Sequence, residues 1–162
     1  MTKSVISKHA LKVIEECIRN YPPDKKQSAV LTALMEVQHE NRGFLTEALM
    51  DEVADLLDMP KVSVYEVASF YSMFQTQPCG RNNVAVCTNV SCMLRGSDEI
   101  IEHIEKKLGI KLGESTEDGR IYFKKEEECL AACCGAPAMQ VNHVYYEKLD
   151  TAKVDEILDK LK

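Results

Sequence analysis

The chain has 162 residues, 45% hydrophobic and 28% charged, which suits one ordinary domain or two small ones and excludes disordered and collagen-like classes. Its net charge of -6 is shared evenly, with 8 Lys and Arg against 11 Asp and Glu in residues 1–80 and 12 against 15 in residues 81–162, so nucleic acid is not an expected partner. No run approaches the ~20 apolar residues of a membrane helix, and no direct membrane span is expected.

The first half reads as helices. Met1–Ile14 is basic and Ser-containing in the manner of a transit peptide, but Glu15 and Glu16 continue the same helical pattern, so it reads as a mature helix over residues 4–20. Tyr21-Pro22-Pro23 stops it. Asp24 with Gln27 forms a capping-box pattern for a second helix carrying Val30, Leu31, Leu34 and Val37 as far as Arg42, with Gly43 placed as a left-handed cap. Thr46 caps a third helix through Leu57, with Leu45 and Met50 as its staple. Ser63 with Glu66 predicts a second capping box, stapled by Val62 and Val67, and the helix it opens carries Phe70, Tyr71 and Phe74. Four helices with short connections predict a bundle over residues 1–78.

Gln77-Pro78-Cys79-Gly80 breaks the pattern and marks the boundary to a second domain, residues 79–162. A strand is expected at Asn83–Cys87. A helix capped by Ser97 then buries Ile100, Ile101, Ile104 and Leu108 and ends at Gly109. Asp118-Gly119 turns into a strand at Arg120–Lys124, and Ala138–Val141 and Val144–Tyr146 form a hairpin through Asn142-His143. A last helix, 151–161, buries Val154, Ile157, Leu158 and Leu161. The order β-α-β-β-α is an abbreviated thioredoxin-like pattern, so the fold class is α+β.

Of seven cysteines, five lie between positions 87 and 134, as Cys87-Thr-Asn-Val-Ser-Cys92 and Cys129-Leu-Ala-Ala-Cys133-Cys134. An odd count with an adjacent pair does not fit a secreted disulfide framework, and clustered thiols point to metal or redox chemistry. Cys17 and Cys79 lie apart and read as small buried hydrophobes. An iron–sulfur centre needs thiolates converging from two loops with backbone N–H groups on the sulfurs, and Gly96, Gly135, Ala131 and Ala132 would allow that approach. Zinc is a rival because C-x4-C lies among zinc-ligand spacings, although the 36 residues between the pairs exceed the roughly 15–20 of a zinc ribbon. A dithiol oxidoreductase is another, without the usual C-x-x-C. Spacing alone leaves all three open.

The residues around the cysteines go further. Val86-Cys87-Thr88-Asn89-Val90-Ser91-Cys92-Met93-Leu94-Arg95-Gly96-Ser97, Glu128–Cys133 and Ala136-Pro137 resemble the small [2Fe–2S] subunit of bacterial NADH:quinone oxidoreductase, respiratory complex I. They are similar also to the matching subunits of NAD(P)-linked hydrogenases and formate dehydrogenases. The likeness runs over nearly the whole chain and includes Val67–Phe74, Thr116–Gly119 and Tyr145-Tyr146-Glu147. It implies a helical bundle followed by a thioredoxin-like [2Fe–2S] ferredoxin domain, with Cys87, Cys92, Cys129 and Cys133 as cluster ligands. It also implies a non-catalytic electron carrier, exchanging single electrons with the FMN of a flavoprotein partner that alone binds NADH. The family's setting is a larger respiratory complex, in a peripheral arm on the cytoplasmic side. The chain departs from the family pattern at Ala132, commonly Gly, and at Cys134, commonly a non-thiol, which sets Cys134 beside Cys133 as a rival ligand.

The remaining residues read more plainly. His9, His39, His103 and His143 share no metal-ligand spacing and are expected at or near the surface. Glu126-Glu127-Glu128 reads as a solvated run whose charge could lower a cluster's potential. Phe70, Tyr71 and Phe74 are expected in the bundle core, with part of that helix as an alternative partner surface. No nucleophile signature or phosphate-binding Gly loop is present in the sequence.

Overall fold

The computed structural model describes residues 5–125 and 129–162, which form two compact units, Met1–Pro78 and Cys79–Lys162. The expectation for Glu126–Glu128 lies outside the described residues.

The first unit holds four helices: α1 (Lys8–Ile18), α2 (Val30–Glu40), α3 (Glu47–Leu57) and α4 (Lys61–Phe70). Each buries one stripe. Ala10 and Ile14 of α1, Ala33, Leu34 and Val37 of α2, Val53, Ala54 and Leu57 of α3, and Val64 and Ala68 of α4 meet in one core. Thr46 caps α3 through Leu49 N–H, and Leu45 and Met50 are both buried, as the sequence predicts. Gly43 takes φ 89°, but α2 already ends at Glu40.

Several expected starts move, and prolines move two of them. Asp24 is not a cap: Pro22 and Pro23 begin a 3-10 turn, Pro23–Ala29, and α2 follows without a side-chain cap. Ser63 is not a cap either, because Pro60 stands at the N-cap and α4 begins at Lys61. Val62 is then exposed rather than stapled. A proline's fixed φ near -65° suits a helix start, and its missing N–H costs nothing there. The first helix starts at Lys8, where Ser7 accepts from the amides of His9 and Ala10.

The aromatic expectation is corrected in two places. Phe74 is buried, but Phe70 is 80% exposed and Tyr71 38%. Helix α4 ends at Phe70, and Tyr71 turns to extended backbone, so the two rings leave the buried stripe. Buried Gln38 holds the following segment, donating to Met73 O at 3.0 Å and accepting from Gln75 N–H at 2.7 Å.

In the second unit, strands β1 (Asn82–Val86), β2 (Ile121–Phe123), β3 (Met139–Val141) and β4 (Val144–Tyr146) form one sheet in the order β2-β1-β3-β4. β1 runs parallel to β2, and the β1–β3 and β3–β4 pairs are antiparallel. A parallel pair needs a crossover, and α6 (Ser97–Leu108) supplies it. The short α5 (Val90–Met93), capped by Asn89, and the terminal α7 (Thr151–Lys160), capped by Asp150, complete the unit. Ser97 does not cap α6. Gly96 holds the boundary at φ 90°, a conformation that favours glycine, and Ser97 is fully buried in the first turn.

Strand residues of one parity (Val84, Val86, Ile121, Phe123, Met139, Val141) share a core with Ile100 and Ile104 of α6 and Val154, Ile157 and Leu158 of α7. Both helices therefore cover the same face of the sheet. At their outer edge His103 Nε2 lies 2.8 Å from Asp155 Oδ1, and Lys107 Nζ lies 3.2 Å from Asp155 and 2.9 Å from Asp159. The β3–β4 turn places Asn142 at φ 48° and His143 at φ 71°, as a tight hairpin of this hand requires.

The charged edge carries a pH signature. The hydrogen bond with His103 holds the Asp155 carboxyl below its ordinary 3.8, with desolvation opposing it and Lys107 adding to it. A depressed folded pKa stabilises above the unfolded value and loses that contribution as pH falls through the folded one. Asp155→Asn is therefore expected to lower the urea midpoint at pH 7, with the gap to the native chain closing in strong acid. Urea titrations at several pH values measure it.

Candidate metal centre

Two loops bring the clustered cysteines together. Cys87 follows β1 directly, its amide tied to Ala138 O at 3.0 Å, and Cys92 lies in α5. Cys129 opens the second loop, and Cys133 starts a 3-10 turn, Cys133–Gly135, that leads to β3. The sheet makes the meeting possible. β1 ends at the first loop, β2 pairs beside it in parallel, and β3 pairs on its other side, so chain 36 residues apart in sequence returns to the same sheet end.

The thiols interact with one another. Cys87 forms side-chain hydrogen bonds with Cys92 and Cys129, and Cys92 lies within the electrostatic reach of Cys133. Burial pushes the Cys87 thiol up, but backbone amides of Leu130 and Asn89 with the two neighbouring thiols outweigh it, and the net shift is downward. Burial and the Cys87 neighbour push Cys92 up to about 11, against a hydrogen bond at Ala138. Ala131 N–H donates to Cys129 Sγ at 3.3 Å, with Ala131 held at φ 56°. A left-handed alanine costs about 1–2 kcal/mol, so the surrounding loop imposes that turn.

The wall is asymmetric. Cys87 and Cys92 are 2% and 1% exposed and pack with Leu130, Ala136 and Ala138. Cys129, Cys133 and Cys134 are exposed. Cys17 and Cys79 are half-buried; Cys17 packs against the helical core, and burial raises the Cys79 thiol. That fits their reading as packing residues.

The donor set fits an iron–sulfur group. Several soft thiolates with amides directed at their sulfurs suit iron or zinc, and small apolar residues line the site. Four thiolates around one zinc at 2.3 Å would sit ~3.8 Å apart. Among the described residues, three potential ligand atoms come mutually within 4.8 Å only at His9, Glu36 and Glu40, so no three of these thiols do. The spread is wider than a single zinc ion would impose. The His9 group joins α1 to α2, with His9 Nε2 3.7 Å from Glu36 Oε1; the i,i+4 glutamates were legible in the sequence, but the approach of His9 was not.

Fold and thiols together define a [2Fe–2S] electron carrier of thioredoxin-like architecture. The model of the thioredoxin-like [2Fe–2S] ferredoxin family matches residues 14–162, and the chain belongs to that family. Among curated relatives, a subunit of the NADH-quinone oxidoreductase of Rickettsia conorii is 45% identical over 161 residues, covering 99% of this chain and 96% of the relative. A subunit of the NADH-quinone oxidoreductase of Rhizobium meliloti is 43% identical over 149 residues, covering 92% and 86%. A solved NAD+-reducing [NiFe]-hydrogenase is similar at a TM-score of 0.67 and 26% identity; the match covers 78% of this chain but 22% of that one.

Proposed function

We propose that this chain is the electron-carrying [2Fe–2S] subunit of an NADH:quinone oxidoreductase, with Cys87, Cys92, Cys129 and Cys133 as ligands. The convergence of these four thiols carries the reading, and full-length kinship with proteins named as NADH-quinone oxidoreductase subunits supports it. The partner in this reading is a flavoprotein subunit that binds NADH and FMN, within a peripheral arm on the cytoplasmic side of a membrane complex. Among the described residues, no helix is long and apolar enough to cross a membrane.

When bound, the cluster accepts and returns one electron at a time, whereas a flavin takes a hydride's two electrons at once. The chain's own residues hold it. The amides of Leu130, Asn89 and Ala131 offset negative charge on sulfur, and Leu130, Ala136 and Ala138 keep water from the inner thiols. The chain supplies no acid, base or nucleophile in this role and is a non-catalytic member of an oxidoreductase.

Anaerobically purified protein is expected to be red-brown, to contain iron and acid-labile sulfide in equal amounts, and to show an EPR signal on reduction. Zinc without iron or sulfide would sink the proposal. The hydrogenase likeness favours a second reading, the equivalent module of an NAD+-linked hydrogenase. Copurification from the native source separates the two: quinone-reductase subunits support the first, a hydrogenase catalytic subunit the second.

A further inference from the structure

Gly135 is buried and closes the turn that begins at Cys133. A Cβ built on it would fall 2.6 Å from Glu147 Cβ and nearer still to the carboxylate, so the Glu147 side chain lies flat against this glycine. Backbone bonds fix the contact on both sides. Lys148 N–H donates to Gly135 O at 2.6 Å, and Leu149 N–H donates to Pro137 O at 3.1 Å. The neighbouring Lys153 Nζ binds the backbone oxygen of Glu147 at 2.6 Å, a bond that does not use the carboxylate.

We propose that Glu147 is a positioning residue for electron transfer: an exposed carboxylate, laid against the second cysteine loop at Gly135, whose negative charge holds down the reduction potential of the cluster. This rests on the function proposed above. Gly135 is two residues from Cys133, at most ~7.6 Å between Cα atoms. The carboxylate therefore lies against the turn that carries Cys133, and charges are screened over a Debye length of about 10 Å at 0.1 M salt. Reduction adds an electron to an already negative site, and a nearby anion opposes that step. Glycine at 135 is what admits the carboxylate, since any side chain there would displace it.

The test is a dye-mediated redox titration of the loaded protein, followed by EPR, for the native chain, Glu147→Gln and Glu147→Lys. At the native midpoint, Glu147→Gln is expected to raise the reduced-to-oxidised ratio about threefold to tenfold; tenfold is 59 mV for one electron. Glu147→Lys shifts further the same way, and 0.5 M salt shrinks both shifts. Unchanged midpoints, or equal shifts for Gln and Lys, overturn the proposal, because a packing effect does not scale with charge. Loss of cluster from the near-isosteric Glu147→Gln also overturns it and makes Glu147 a structural prop. A native chain that takes up no iron or sulfide sinks the function proposed above instead.

Discussion

Cys133→Ala is expected to lose the visible chromophore and the acid-labile sulfide, while Cys134→Ala keeps both. The two thiols are adjacent and both exposed, so neither sequence position nor accessibility separates them. Their neighbours do. Cys92 lies within the electrostatic reach of Cys133 and is hydrogen-bonded to Cys87, which is why Cys133 is the proposed fourth ligand. Iron and sulfide analysis of the two purified variants reads the outcome directly. The opposite pattern would move the fourth ligand to Cys134. Loss in both variants would mean that the turn, rather than one sulfur, holds the site.

Phe123→Ala is expected to destabilise the second unit by about 3–5 kcal/mol, the cost of emptying a large buried site. Phe123 is fully buried at the end of β2, in the core shared by α6 and α7. Its amide also bonds Glu114 O at 2.9 Å, and its carbonyl accepts from Gly113 N–H. Domains are stable by about 5–15 kcal/mol in total, so the loss is a large fraction. Urea unfolding followed by both far-ultraviolet circular dichroism and cluster absorbance checks it. Both signals should fall at lower urea than in the native chain, because the strand that closes the core also fixes the sheet end where the thiols meet.

The parts of this fold that were legible in the sequence are those with a local cause. The helical stripes of Leu34 and Val37 or Ile100 and Ile104, the Thr46 cap, and the Asn142-His143 turn each follow from a few neighbouring residues. Helix starts are less legible. Asp24…Gln27 and Ser63…Glu66 carry the pattern of a capping box, yet Pro23 directly before the first and Pro60 three residues before the second set the starts themselves. At Ser97 the preceding Gly96 takes the turn, and the hydroxyl of Ser97 is left buried without a partner. The α5 helix is a single turn, too short for any period to show.

The site was legible as composition and spacing, not as geometry. Two thiol pairs stand out in the sequence, but their meeting depends on β1 and β2 pairing in parallel across α6, a non-local event. Nothing in C-x4-C says that its two thiols are the buried ones. Phe70 and Tyr71 show the same limit: an aromatic run names candidates for the core, and the point where the helix ends decides which rings enter it.

The uneven wall of the thiol site divides its sulfurs by their access to water. Cys87 and Cys92 already serve as small hydrophobes, wedged among Leu130, Ala136 and Ala138. Their sulfurs are withdrawn from water, whereas those of Cys129, Cys133 and Cys134 stay in contact with it. The outer thiols have no such second employment. The site thus has a dry floor and a wet rim, and a thiol reagent arriving from water meets the rim first.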